Sequence, residues 1–141
     1  MTTQTGILYS VLALIAWTLV MWVWMYATRI PAIKKAKMVL DPNSVNGELM
    51  SQLPAPVRWK ADNYTHLMEQ PTIFYALVFA SFLLGYGDGL NCWLAWGYVF
   101  FRVIHSLVQT LGNKIELRFA IFVLSTLCLF VMVINTALKV L

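Results

Sequence analysis

Charge is scarce in this 141-residue sequence: Asp, Glu, Lys and Arg make up only 11% of it, against about 25% in a soluble domain. That shortage excludes a typical soluble fold and a disordered tail, which stays solvated by its charge. A nucleic-acid binder is excluded as well, because a net charge of +4 is far short of a dense basic face. Cysteine is nearly missing. Cys92 and Cys128 form no motif, so a disulfide framework is ruled out. Internal repeats and low-complexity tracts are lacking too. What fills the chain instead is apolar: 60% hydrophobic and 14% aromatic residues, with a mean hydropathy of +0.72. Such a chain belongs in a membrane.

Four apolar runs of 18 to 22 residues carry that hydropathy, at 7–26, 67–84, 92–110 and 117–138. At 1.5 Å per residue each reaches roughly 27–33 Å, the thickness of a hydrocarbon core. Backbone polar groups in lipid are satisfied only within helices or closed barrels, and runs without alternation read as helices. The expected fold is therefore all-α, one integral membrane four-helix bundle over residues 1–141. The leader Met1–Gly6 has no basic residue, whereas Arg29, Lys34, Lys35 and Lys37 follow the first run. This pattern reads as an anchor rather than a cleaved signal. Eight of the ten basic residues lie in segments 29–62 and 111–118. The positive-inside rule makes those segments cytoplasmic and puts both termini outside. Trp93 and Trp96 fit an outer aromatic belt, and Trp22, Trp24 and Tyr26 an inner one. Gly85, Gly87, Asp88 and Gly89 make a tight outer turn, and Gly112-Asn113 a short inner one. Lys34, Lys35 and Lys37 also suit anionic lipid headgroups.

Charged groups within hydrocarbon cost at least ~2.5–3.5 kcal/mol each, so each needs a partner or a purpose. Here they gather. Asp62, His66 and Glu69 follow i, i+4, i+7 on the second span, one face of a helix. Arg102, His105, Ser106, Gln109 and Asn113 follow i, i+3, i+4, i+7, i+11 on the third. Counted from the cytoplasmic ends, Glu69 lies roughly 10 Å deep, His105 roughly 12 Å and Arg102 roughly 16 Å. Two antiparallel helices thus present polar groups at matching depth, and a cleft open to the cytoplasm is expected. Glu69 should meet Arg102 or His105, in one protomer or across two. Pro71 should kink the second span and free the Leu67 carbonyl. The same residues allow blander readings: Glu69 and Arg102 as a structural ion pair, or His66, His105 and Glu69 as a metal site. The spacing supplies no third local ligand, so no metal is expected.

Two stretches carry a resemblance. Residues 60–75, Lys-Ala-Asp-Asn-Tyr-Thr-His-Leu-Met-Glu-Gln-Pro-Thr-Ile-Phe-Tyr, and residues 102–118, Arg-Val-Ile-His-Ser-Leu-Val-Gln-Thr-Leu-Gly-Asn-Lys-Ile-Glu-Leu-Arg, resemble the MAPEG superfamily (membrane-associated proteins in eicosanoid and glutathione metabolism), and within it a bacterial branch. The resemblance covers essentially the whole chain. It implies a homotrimer, placed in a bacterial inner membrane, with glutathione bound as substrate between protomers on the cytoplasmic side. Carried over by position, Glu69 matches the family's second-helix Glu, and His66 stands where the family has Asn. Arg102 and His105 match the third-helix pair, and Arg118 matches the Arg that stabilises the glutathione thiolate. Asn63 belongs to the bacterial pattern, while Gln109 and Asn113 complete the polar face. Asp62 stands where the family carries Arg, and Gln109 falls near its Tyr; Arg58 and Lys60 are candidates to compensate for the first change.

Two functions are open on this reading. The first is a glutathione-dependent transferase or peroxidase acting on apolar small molecules that partition into membrane lipid. In it Arg118 is catalytic, and Asn63, His66, Glu69, Arg102, His105, Gln109 and Asn113 bind glutathione. The second is a non-catalytic lipid-binding or structural membrane protein in which the same groups are a packing network.

Overall fold

The computed structural model describes residues 3–141; Met1 and Thr2, the head of the leader, lie outside the described residues. Six helices and no strand occur among the described residues: α1 (Gly6–Lys35), α2 (Glu48–Ser51), α3 (Ala55–Glu69), α4 (Pro71–Leu83), α5 (Gly89–Leu111) and α6 (Ile115–Val140). The first apolar run lies in α1, the second across the end of α3 and all of α4, the third in α5 and the fourth in α6. Among the described residues α1 and α6 are the two helices long and apolar enough, by length and composition, to cross a membrane. The 23 residues of α5 are diluted by its polar stripe, and α3 and α4 are separated at Gln70.

Each helix buries one stripe. On α1 it is Ile7, Val11, Leu14, Met21 and Met25, the spacing of one helix face. The opposite faces are apolar as well. Leu12 and Leu19 are each 60% exposed, and on α6 Phe130 is 62% exposed. A helix that is hydrophobic all round suits lipid rather than water. The core stripes meet around Phe74 and Tyr98, whose rings stack at 4.5 Å.

The first connection is shorter than the basic segment 29–62. Arg29, Pro31, Lys34 and Lys35 belong to α1, and residues 55–62 already belong to α3. Pro31 is accommodated because it forfeits only the single bond to the Ala27 carbonyl. Residues 36–54 remain as the connection, with α2 inside it. Lys37 takes φ +49 and Met38 N–H bonds the Ile33 carbonyl at 3.3 Å, the reversed cap that stops a helix.

Pro71 interrupts the second span as its missing N–H requires. Gln70 keeps a right-handed backbone (φ −60°, ψ −36°), and Ile73 N–H bonds back to the Gln70 carbonyl at 3.0 Å. Gln70 also ties the break to its neighbours. Its Nε2 donates to Thr126 Oγ1 at 3.0 Å, and its Oε1 accepts from the Tyr98 hydroxyl at 3.3 Å.

The two short turns close as their residues suggest. Gly85 takes φ +81, and Tyr86 N–H bonds the Ser81 carbonyl at 2.8 Å. The side chain of Gln4 clips this turn, accepting from Gly87 N–H at 2.9 Å and donating to the Gly85 carbonyl. A Cβ at Gly87 would come to 3.0 Å from the Gln4 carbonyl and from Ile7, so a side chain there would push the turn and the start of α1 apart by a few tenths of an ångström. At the other end Asn113 takes φ +46, and its N–H bonds the Val108 carbonyl at 2.7 Å.

Candidate functional site

The buried stripe of α5 changes character along its length. It begins with Cys92, Ala95, Tyr98 and Val99 and continues as Arg102, His105, Ser106 and Gln109. Arg102 and Ser106 are wholly buried, His105 is 1% exposed and Gln109 3%. The third-span face read from the sequence therefore does point inward.

The second-span face does not. Asp62 and Glu69 are exposed, and the stripe that α3 and α4 bury is Lys60, Asn63, Leu67, Pro71, Phe74 and Val78. Among the described residues no hydrogen bond or ion pair joins Glu69 to Arg102 or His105. Within the chain the expected pair is replaced. His66, on the flank between the two faces, takes Arg102: Nη2 donates to His66 Nδ1 at 2.9 Å and to the His66 carbonyl at 3.1 Å. A guanidinium only donates, so Nδ1 accepts and the imidazole proton resides on Nε2.

His66 stacks on His105 with ring centroids 4.9 Å apart. Phe122 of α6 stands edge-on to His66 at 5.3 Å and lies 5.9 Å from the Arg102 guanidinium carbon. In front of these rings opens a cleft of about 230 Å³, lined by His66, His105, Ile115, Arg118, Phe119 and Phe122. Three elements thus converge here: α3 through His66, α5 through His105 and α6 through Arg118. The aromatic wall went unread in the sequence, although Ile115, Arg118, Phe119 and Phe122 follow i, i+3, i+4, i+7 on α6 and Arg118 marks that face.

Behind the cleft the polar atoms are short of protein partners. Both amide atoms of Asn63, Nε and Nη1 of Arg102, Nδ1 of His105, Oγ of Ser106 and Oε1 of Gln109 are buried with none. Burying a polar group without a hydrogen bond costs about 1–3 kcal/mol, so this concentration is costly for the fold alone. Asn113 is placed differently. It is half-buried at the α5–α6 turn, and its Oδ1 accepts from Arg118 Nη1 at 2.7 Å.

A second cavity, of about 220 Å³, lies beside the first connection, lined by Arg29, Arg58, Asp62 and the α2 region. Arg58 is held by its Nε bond to the Leu53 carbonyl at 3.0 Å, which leaves its terminal nitrogens for other partners. Lys60 is committed elsewhere: its Nζ donates to the Pro56 carbonyl at 2.9 Å and sits 5.3 Å from the Trp24 ring centroid. Of the two basic residues that stand near Asp62 in sequence, Arg58 alone borders this cavity.

A chain that is all-helical over its described residues, with an apolar exterior and two helices long enough to cross a bilayer, is an integral membrane protein. The chain belongs to the MAPEG family, whose model matches residues 7–138, a family of membrane-associated proteins of eicosanoid and glutathione metabolism. No curated protein and no solved structure matches the chain.

Proposed function

We propose that the protein is a glutathione-dependent transferase or peroxidase acting on apolar electrophiles dissolved in the bilayer. The observation that carries this reading is the convergence of His66, His105 and Arg118 on one cleft backed by the buried Arg102. In the proposed arrangement the helices form four spans, with the end of α3 and α4 acting together as the second. Three such protomers assemble, with segment 29–62 in the cytoplasm and both termini outside, in a bacterial inner membrane. Eight of ten basic residues on one side support that orientation.

Glutathione enters from the cytoplasm with its sulfur directed to Arg118. A guanidinium beside the thiol favours the thiolate and lowers its pKa. Because the guanidinium stays charged at any working pH, it does this without titrating itself. Arg102 receives a glutathione carboxylate through the two nitrogens that His66 leaves free, and Arg58 offers a second cationic contact at the rim. Asn63 and Gln109 supply the remaining buried donors and acceptors. Glu69, exposed on the outside of α3, meets the glutathione ammonium from a neighbouring protomer's cleft. The apolar partner approaches laterally, past the wall of Phe119 and Phe122, and the thiolate attacks it there.

Unfolding of the detergent-solubilised protein with and without glutathione tests the reading. Saturable binding to the folded state at about 100 times Kd raises stability by about 2.7 kcal/mol. No shift at millimolar glutathione, with the protein intact, leaves the cleft to a non-catalytic lipid-binding or structural role.

A further inference from the structure

We infer that Asn113 is a positioning residue: it acts on the chemistry only through Arg118, whose guanidinium it fixes at the mouth of the cleft. This rests on the reading of the cleft as a glutathione site and assigns Asn113 a role other than ligand.

Three observations meet at this residue. Its Oδ1 accepts from Arg118 Nη1 at 2.7 Å, the single protein hydrogen bond made by that guanidinium among the described residues. Its backbone takes φ +46, a conformation that side-chain-bearing residues adopt at a cost and that Asn tolerates best. Its N–H bonds the Val108 carbonyl at 2.7 Å, which ties the turn to the end of α5, and Arg118 N–H bonds the Lys114 carbonyl at 2.9 Å, which opens α6 one residue after the turn. Glycine would satisfy the backbone here with less strain. What asparagine adds over glycine is the amide oxygen aimed at Arg118.

The chemical consequence concerns direction. An arginine side chain at a helix start has many rotamers, and a charge that points into solvent stabilises a thiolate poorly. With one N–H of the fork committed to Asn113, the Arg118 side chain is held among the residues that line the cleft with His66 and His105. The amide oxygen is neutral, so it orients the guanidinium without cancelling its charge. A carboxylate at position 113 would orient it equally well but would offset the field that the thiolate needs.

Asn113→Gly is the informative variant, because it keeps the turn and removes only the acceptor. Its first readout needs no glutathione: the rate at which a dicarbonyl reagent modifies each arginine, mapped by mass spectrometry. Arg118 should react severalfold faster than in the wild type while Arg29 and Arg58 stay unchanged, and Asn113→Asp should keep it protected. The second readout is the pKa of bound glutathione thiol, followed by thiolate absorbance at about 240 nm. Asn113→Gly should raise it by about one unit, a tenfold fall in the acid dissociation constant of the thiol, with glutathione affinity changed less than about threefold. The same substitution in an Arg118→Ala background should add nothing, because residues that act as one unit are non-additive. An unchanged Arg118 modification rate overturns the proposal outright. A raised rate with an unshifted thiol pKa, or an equal shift in the Arg118→Ala background, overturns its chemical part. Faster Arg118 modification in a protein that binds no glutathione refutes the glutathione reading and leaves the orienting contact standing.

Discussion

The two ends of the bundle both bury polar residues, and they treat them in opposite ways. At the end that carries the α4–α5 turn, Asn91 is wholly buried and fully engaged. Its Nδ2 donates to the Tyr86 carbonyl at 2.8 Å and to Thr136 Oγ1 at 3.0 Å, and its Oδ1 accepts from Asn135 at 2.8 Å. Ser81 and Thr136 share a hydrogen bond of 3.0 Å, and the Tyr86 hydroxyl donates to the Lys139 carbonyl at 2.8 Å. This network locks α4, α5 and α6 together. At the other end Asn63, Arg102, His105, Ser106 and Gln109 are equally buried, yet seven of their polar atoms have no protein partner. Selection for stability alone would produce the first arrangement and remove the second, because unmade hydrogen bonds cost more than made ones gain. Burial therefore does not separate these two clusters; hydrogen-bond satisfaction does, although Trp17 Nε1, Arg29 Nε and Trp96 Nε1 are also buried without a partner outside them.

That contrast breaks or sharpens under substitution, and the largest effect belongs to Arg102. Arg102→Met should weaken glutathione binding by about 100-fold, in the range expected when one member of a desolvated charge contact is truncated. Calorimetric titration of the detergent-solubilised protein measures it, and an affinity within threefold of the wild type would detach Arg102 from the ligand. Asn91→Leu should do the reverse. It should destabilise the fold by about 2 kcal/mol, by stranding the Tyr86 carbonyl and the Thr136 and Asn135 side chains, while glutathione affinity stays unchanged.

A matched pair of serines isolates the principle at smaller scale. Ser81→Ala removes a satisfied hydroxyl and should cost about 0.6–1.7 kcal/mol, the span of membrane-protein hydrogen bonds. Ser106→Ala removes the unpartnered Oγ and should leave stability within about 0.5 kcal/mol of the wild type or raise it. Equal losses in denaturant unfolding would erase the distinction between the two ends. Glu69→Gln should matter least to the isolated chain, within about 0.5 kcal/mol, since its carboxylate is exposed and unpaired. A loss of about 3–5 kcal/mol in the assembled protein would instead reveal a buried ion pair between protomers.

The sequence foretold the helical fold because apolar runs of membrane length leave the backbone few alternatives. It also marked both short turns, through Gly85 and Asn113, and the break at Pro71. Charge in the first connection indicates where a helix leaves lipid, not where it unwinds: α1 carries its basic residues as helix up to Lys35. On the candidate site, periodicity sorted residues onto shared faces but could not tell which face turns inward. For α5 the two coincided, since Arg102 continues the stripe begun by Cys92 and Ala95. For α3 they did not. Asp62, His66 and Glu69 do share a side, but Asn63 and Leu67 lead into the core, and so His66 from the flank reaches Arg102 where Glu69 was expected. The Phe122 wall and the far network through Asn91 were illegible for a related reason. Both depend on which helices touch, and single residues of ordinary type do not announce that.

Thiolate absorbance at about 240 nm, recorded while glutathione is titrated into the solubilised protein near neutral pH, tests the central claim most directly. A saturable thiolate band is expected in the wild type, retained in Asn91→Leu and lost in both Arg118→Ala and Arg102→Met. No band in a folded wild type, or a band that persists without Arg118 and Arg102, would contradict it.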